Sequence, residues 1–259
     1  MGVICELPTQ FSSTRMKIIQ KNTVFLLLSV SIIIAKDSPD NWHSYWLQSG
    51  KAVIMDESNQ WLLGKAAIVA LGARLALDME VKDYVQTHKI LSDPISHFGD
   101  EMGGKWGHWI LWSSIFTSSK IKKDSNKKFI SKIQYSTLAM VSNGLITVSM
   151  KRAFGRERPN GSCCDSFPSG HTSHSFTMAS IANELYGKNI GLISYGLATL
   201  VAVSRMNDNK HYLSDVIFGA GLGTAVGRAF AINYQKFEET NIQVGLSSQM
   251  ALKISIPIK

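Results

Sequence analysis

The chain has 259 residues, of which 45% are hydrophobic and 18% are charged, and its formal net charge is +8. This length suits one medium-sized domain, and the composition is typical of a globular protein and low in apolar residues for a bundle of lipid-exposed helices. The positive charge favours an anionic substrate or surface.

Residues 1–35 have the features of an export signal. The run from Val24 to Ala35 is apolar and follows Lys17 and Lys21. It is shorter than the roughly 20 residues of a membrane span, so a signal peptide is predicted. Met16 is an alternative translation start, because it would place Lys17 and Lys21 directly before the apolar run. An uncleaved N-terminal anchor is the alternative to the signal peptide, because the residues before Ala35 make a poor cleavage site.

The next part of the chain predicts short, separate elements. Residues 40–50 are polar and are expected to be irregular, and residues 94–104 are predicted to form a loop or to begin a helix. Apolar residues at helical spacing predict helices over 61–79 and 106–116. The lysine-rich run 120–128 is interpreted as a solvated loop, with a landing patch for anionic lipid headgroups as the alternative.

Four further helices are predicted over 133–154, 171–185, 191–203 and 211–234. Together these segments predict an all-α helical bundle. Gly219, Gly223 and Gly227 recur every four residues and are expected to line one helix face for close packing. After residue 236, alternating apolar and polar side chains predict a short C-terminal β-hairpin tail over 237–259.

Three short clusters carry side chains suited to phosphate chemistry: KRAFGRERP at 151–159, PSGH at 168–171 and SRMNDNKHYLSD at 204–215. Lys151, Arg158 and Arg205 supply three positive charges that can bind phosphate oxygens. Ser169 and Gly170 precede a predicted helix, whose free backbone N–H groups can point at an anion. These clusters therefore predict a phosphate-binding site.

Two histidines can carry the reaction. His211 and Asp215 are four residues apart, so they share one helix face, and the carboxylate can orient one ring nitrogen while the other attacks phosphorus. His171 can protonate the leaving oxygen. Three cations can do the work of a metal ion in phosphoryl transfer, and no Cys or His spacing suits zinc, so neither a metal nor another cofactor is predicted.

The three clusters resemble the three-part signature of the type 2 phosphatidic acid phosphatase and vanadium haloperoxidase superfamily. The matching positions are Lys151, Arg158, Pro159, Pro168, Ser169, Gly170, His171, Ser204, Arg205, His211 and Asp215. The resemblance covers about 133–234 and implies a helical bundle that holds phosphate with Lys151, Arg158, Ser169, Gly170 and Arg205. It also implies that His211 is the nucleophile, that Asp215 orients it, that His171 is the general acid, and that vanadate inhibits.

This resemblance predicts a phosphatase domain over 36–236 that hydrolyses a phosphomonoester or a lipid (di)phosphate through a phosphohistidine. The alternatives are a vanadate-dependent haloperoxidase, whose branch uses the same cage for vanadate, and a non-catalytic anion-binding protein. The six-residue gap between Lys151 and Arg158 and the modest chain length resemble the phosphatase branch. The expected partners are a phosphorylated lipid or a small phosphoester, with membrane-surface contact as a further option and no nucleic acid.

Members of the superfamily are either integral membrane lipid phosphatases or exported soluble acid phosphatases. The uncharged run 133–150 is diluted by polar residues, and 189–204 and 216–227 are shorter than about 20 residues. The prediction is therefore an exported enzyme that is soluble or peripheral in the periplasm. The alternative is an integral membrane protein whose lysine run 120–128 is cytoplasmic and whose site faces the periplasm.

Overall fold

The computed structural model describes the backbone of residues 42–254 and the side chains of residues 42–235. Within this range the chain forms nine α-helices and no strand, which confirms the predicted all-α class. The helices are α1 (Trp42–Met55), α2 (Glu57–Ala76), α3 (Asp78–His88), α4 (Asp93–Glu101), α5 (Gly107–Ile121), α6 (Asn126–Phe154), α7 (Gly170–Tyr186), α8 (Lys188–Asn207) and α9 (Leu213–Ile254). A π-helical turn, Met102–Trp106, joins α4 to α5. The predicted signal over 1–35 lies outside the described residues.

Several helix ends follow from local sequence. Asp56 caps α2, because its carboxylate accepts hydrogen bonds from the backbone N–H groups of Ser58 and Asn59. Ser125 caps α6 in the same way through the N–H of Lys128. The helix α6 ends at Gly155, which has a left-handed φ of 51° that glycine adopts at little cost. This turn starts the loop that leads from the first signature cluster to the second.

Two predictions about secondary structure are wrong, and one helix differs in its ends. Residues 42–50 are helical in α1, not irregular. The helix predicted over 61–79 is found as α2, which ends at Ala76, and α3 follows from Asp78. The predicted hairpin over 237–259 is not formed, because α9 continues to Ile254, and residues 255–259 lie outside the described range. Extending an existing helix needs no new nucleus, so a weak two-residue alternation does not compete with it.

The helices α5 to α9 run back and forth between the two ends of the bundle. Asn143 and Thr147 of α6 bond to Ser173 near the start of α7, at 3.2 and 3.1 Å. Ser114 of α5 bonds to Tyr186 at the far end of α7, at 3.0 Å. The ends of α6 and α8 and the starts of α7 and α9 therefore lie together. Between the two ends, Tyr135, Ile181 and Phe230 are fully buried in the core.

The glycine face of α9 packs closely on α7, as predicted. A Cβ atom at Gly223 would overlap the carbonyl oxygen of Ser173, and one at Gly227 would overlap the side chain of Ser180. A Cβ at Gly219 would lie 2.9 Å from the carbonyl oxygen of Ser169. Glycine at these positions lets the two helices that carry the second and third clusters approach each other.

The outside of the bundle is rich in exposed apolar side chains. Leu75 of α2, Ile121 of α5 and Leu192 of α8 are 79%, 76% and 76% exposed. By length and composition alone, the segments Lys188–Asn207 and Leu213–Gln235 are long and apolar enough to cross a membrane. On α6 the polar side chains of Asn143 and Thr147 are buried inside the bundle, whereas the apolar side chains of Leu145 and Val148 are exposed.

Candidate active site

The three signature clusters meet at one end of the bundle. The backbone N–H of Ser169 donates to the carbonyl oxygen of Asp215 at 3.1 Å, which joins the second cluster to the third. The N–H of His211 donates to the carbonyl oxygen of Arg205 at 3.2 Å. A Cβ atom at Gly170 would lie 3.7 Å from Cε of Lys151, so the first cluster is beside the second. The site residues predicted from the sequence are therefore neighbours in space.

The three predicted cations all face carboxylate or carbonyl oxygens. Arg158 donates two hydrogen bonds to the carboxylate of Asp165, at 2.7 and 2.9 Å, and Lys151 donates to the backbone oxygen of the same residue. Arg205 pairs with Asp100. Burial raises the pKa of the Asp165 carboxyl, but the hydrogen bond and charge of Arg158 outweigh this effect and hold it below its usual value. These contacts fix the orientation of the three cationic groups.

Backbone donors complete an anion-binding cradle. The helix α7 begins at Gly170, directly after Ser169, so its first N–H groups have no partner inside the helix. The positive end of the helix dipole points at the same place. Ser169 is fully buried, and its hydroxyl lies 2.9 Å from that of Thr172. A tetrahedral anion at this helix start can be bound by backbone and side-chain donors together.

His171 is the second residue of α7 and lies beside Asp100. Its Nε2 is 3.3 Å from a carboxylate oxygen of Asp100. Burial, reinforced by the charge of Arg205, lowers the pKa of His171 to about 4. The imidazole is therefore neutral at pH 7 in the absence of an anion, and the negative charge of a bound phosphate opposes this effect. A bound phosphate thus makes protonation of His171 less unfavourable.

His211 and Asp215 face each other at the start of α9. Nδ1 of His211 is 3.7 Å from Oδ2 of Asp215, which leaves Nε2 as the ring nitrogen available for attack. The same Oδ2 accepts hydrogen bonds from the hydroxyl of Ser166 at 2.5 Å and from the N–H of Tyr212 at 2.9 Å. Burial lowers the pKa of His211 below its usual value, so the ring is neutral and nucleophilic at pH 7.

An apolar groove begins next to His171. It has a volume of about 600 Å³ and runs between α5, α7 and α8, with Met102 and Val201 at one end and Ile121 at the other. Gly103 separates this end from the site, because a Cβ there would lie 3.1 Å from Cβ of His171 and would overlap the side chain of Val201. From Gly107 to Ile121 the groove follows α5 for about 21 Å.

The chain is similar to known proteins over the region that forms this site. Residues 135–239 match the model of the PAP2 superfamily. The predicted family resemblance is confirmed. Within this chain, the PAP2 region runs from the middle of α6 into α9 and contains the three signature clusters.

Two curated relatives match part of this chain. One is a lipid A 1-phosphatase from Porphyromonas gingivalis, 37% identical over 93 residues, which are 35% of this chain and 21% of the relative. The other is lipid phosphate phosphatase 1 from Arabidopsis thaliana, 32% identical over a match that covers 38% of this chain and 42% of the relative. The match therefore spans less than half of the length of either relative.

Two solved structures are similar to the chain. The crystal structure of Aquifex aeolicus LpxE has a TM-score of 0.49 and 22% identity, and the match covers 60% of this chain and 94% of that one. The second structure is described as the first transmembrane PAP2 type phosphatidylglycerolphosphate phosphatase from Bacillus subtilis. It has a TM-score of 0.43 and 20% identity, and the match covers 77% of this chain and 94% of that one.

Some charged residues of the candidate site were missed by the sequence analysis. Arg156 lies inside the first cluster and contacts Asp215, whereas Asp78, Asp100 and Asp165 pair with arginines of the site. The sequence indicates Arg156 only weakly, through its position two residues before Arg158 in the first cluster. No sequence pattern indicates Asp78, since it lies 137 residues before Asp215 and outside the matched region. Among the described residues, no group of three or more His, Cys, Asp or Glu side chains is arranged to hold a metal ion.

Proposed function

We propose that this protein is a membrane phosphatase that hydrolyses a phosphate ester or diphosphate of a lipid. The observation that carries the proposal is the nearness of an anion-binding site to an apolar groove about 21 Å long, since Gly103 lies between Val201 at the end of the groove and His171 in the site. A phosphate bound at the start of α7 would leave a hydrocarbon chain next to Gly103, where the groove begins. The groove is longer than half of the roughly 30 Å hydrocarbon core of a bilayer, so it can take an extended lipid chain.

The geometry supports a two-step reaction at phosphorus. In the first step Nε2 of His211 forms a bond to phosphorus, the bond from phosphorus to the leaving oxygen breaks, and His171 gives its proton to that oxygen. In the second step water attacks phosphorus, the P–N bond breaks, and His171 takes the proton of the water. Lys151, Arg158 and Arg205 stabilise the charge on the equatorial oxygens in both steps.

The distribution of polar and apolar side chains supports a location within a membrane. Large apolar side chains are exposed along α2, α5 and α8, at a density that is unusual for a surface in contact with water. On α6, the polar groups that dilute the apolar run point inward: Ser142 accepts a hydrogen bond from Trp46 at 2.8 Å, and Asn143 donates to Ser173. Polar residues inside and apolar residues outside are typical of membrane helices. We therefore favour the integral membrane alternative.

The charges at the two ends of the bundle support one orientation. The lysine-rich run 120–128 forms the turn between α5 and α6, at the end opposite the signature clusters. Positively charged turns stay on the cytoplasmic side of membrane proteins. This rule would put the lysine run in the cytoplasm and the site on the periplasmic face, where it meets the headgroups of exported or outer-leaflet lipids.

The first test measures phosphate release from a panel of substrates by protein recovered separately from membrane and soluble fractions. We expect activity in the membrane fraction, with long-chain lipid phosphates turned over faster than short soluble phosphomonoesters at equal concentration. The catalytically disabled His211→Ala protein, prepared in the same way, is the control for contaminating phosphatases. No phosphate release from any ester, or halide oxidation that needs vanadate and peroxide, would contradict the proposal.

A second test concerns the role of the three cations. We expect phosphate release to persist in EDTA and to be inhibited competitively by micromolar to millimolar vanadate, because vanadate adopts the trigonal-bipyramidal geometry of the transition state. The measurement is the initial rate against lipid phosphate concentration at several vanadate concentrations. A rate that EDTA abolishes and a divalent metal restores would show that Lys151, Arg158 and Arg205 are not sufficient.

A further inference from the structure

A buried network of charges stands behind the predicted nucleophile. Asp215 is completely buried, and its two carboxylate oxygens have different partners. Oδ2 faces His211 and accepts from Ser166 and Tyr212. Oδ1 accepts from Nη1 of Arg156 at 2.6 Å. Arg156 therefore binds the oxygen that His211 does not use and leaves the other one directed at the imidazole.

Arg156 is itself held in place from three sides. Its Nη2 donates to Oδ2 of Asp78 at 2.7 Å, and its Nη1 also donates to the hydroxyl of Ser214 at 2.7 Å. Its guanidinium carbon lies 4.1 Å from the centre of the Tyr212 ring. The side chain is 13% exposed and contacts the carboxylate oxygen of Asp215 that does not face His211. Arg156 is thus placed to act on Asp215.

Asp78 connects this network to a helix outside the PAP2 region. It is 3% exposed and is the first residue of α3. Its Oδ1 accepts from the backbone N–H of Ser214 at 2.9 Å, and its Oδ2 accepts from the hydroxyl of Ser214 at 2.6 Å. Ser214 adjoins Asp215, so Asp78 also fixes the first turn of α9. Loss of a partner in such a buried network is costly, because it leaves an uncompensated charge.

We propose that Arg156 and Asp78 are positioning residues for the nucleophile, and that they act by fixing Asp215 and by setting a net charge of about −1 behind His211. The effect of Arg156 and Asp78 on turnover rests on the proposed function. Arg156 alone would neutralise Asp215 and leave no net charge to stabilise the positive charge that develops on an attacking imidazole. Asp78 restores that negative charge, while Arg156 keeps two buried carboxylates from repelling each other.

Removing the charge of Asp78 and removing the charge of Arg156 should shift the pKa of His211 in opposite directions. Asp78→Asn keeps the shape of the side chain and one acceptor oxygen, replaces the other oxygen by an NH2 donor, and removes one negative charge, so the pKa of His211 should fall by about half a unit or more. Arg156→Gln removes the positive charge, so the pKa of His211 should rise. The double variant Asp78→Asn with Arg156→Gln returns the net charge to −1 and should bring the pKa back towards the wild-type value.

Other charged groups face His211 and stay unchanged in these variants. They are Lys151 from α6, Arg158 and Asp165 from the loop after α6, His171 from α7, Arg205 from α8, and Asp215 from α9. A shift that follows the charge of residues 78 and 156 is therefore attributable to the network. A purely structural role would lower stability in both variants without opposite shifts.

The experiment follows the imidazole signal of His211 in the full-length protein labelled on histidine, by NMR titration, with the signal assigned by its loss in His211→Ala. The pH dependence of kcat/KM with one fixed substrate is measured in parallel, so that titration of the substrate is common to all variants. We expect the acid limb to move down in Asp78→Asn and up in Arg156→Gln. In Asp78→Asn, kcat should fall by about 10-fold with KM nearly unchanged.

Asp124→Asn is the matched control. Asp124 forms another buried ion pair, with Lys132, at the opposite end of the bundle. We expect this variant to lose thermal stability without any movement of the His211 titration. The inference is overturned if the His211 signal moves in the same direction in both network variants, or in neither. That outcome is distinct from failure of the proposed function, which would appear as a wild-type protein that releases no phosphate.

Discussion

The variant His211→Ala is expected to lose phosphate release by about four orders of magnitude or more. Without the imidazole no covalent phosphoryl intermediate forms, and water would have to attack phosphorus directly. The measurement is the initial rate on the best lipid phosphate from the substrate panel, with the protein reconstituted as for the wild type. A rate within 10-fold of wild type would remove His211 from the role of nucleophile.

Binding should separate from turnover in this variant. Lys151, Arg158 and Arg205 do not depend on the imidazole for their placement, so His211→Ala should still bind phosphate or vanadate within about 10-fold of wild-type affinity. His97→Ala is the matched control, because His97 is exposed on α4. It should keep wild-type activity. Loss of both binding and the thermal transition in His211→Ala would indicate misfolding, and His211→Gln then tests the same point with a side chain of similar size.

Filling the apolar groove should select against long-chain substrates. Ser194 of α8 lines the groove, and the indole ring of a Ser194→Trp variant would occupy the path of a hydrocarbon chain. Each methylene group that is kept out of an apolar site forfeits about 0.8 kcal/mol, so displacing a few of them lowers kcat/KM for a long-chain lipid phosphate by about 10-fold or more. Release from a short soluble phosphomonoester should change by less than about twofold.

The control for this variant uses the same helix. Leu192 is 76% exposed and does not line the groove, so Leu192→Trp adds the same ring to the outer surface of α8. It should leave the preference for long chains unchanged. Equal losses of Ser194→Trp on long and short substrates, measured as kcat/KM for both, would contradict the assignment of the groove to the lipid chain.

The helices themselves were easier to predict than whether they lie in a membrane. The run 133–150 looked too polar for a membrane span, because Asn143 and Thr147 interrupt it. In the structure both side chains are buried against Ser173, while Leu145 and Val148 point outward. Mean hydropathy counts polar residues without regard to the face they occupy, so it cannot separate a diluted soluble helix from one that is polar only inside a bundle.

The all-α class and the residue types of the candidate site were predictable from local sequence patterns. Lys151, His171 and His211 lie in short motifs whose residue types suit phosphoryl transfer, and helical periodicity is a local property that survives folding. The close packing of α9 through its glycines was also predictable, because a repeat of four places them on one helix face.

The groups that lie behind and beside these residues could not be predicted, because long-range packing brings them there. Asp78 reaches Ser214 and Arg156 across the bundle, and the groove exists because α5 and α8 flank α7 with a gap between them. The C-terminal segment to Ile254 is helical because it continues α9. Contacts between residues that are distant in the chain depend on how helices pack, and a local pattern of residue types carries no information about that packing.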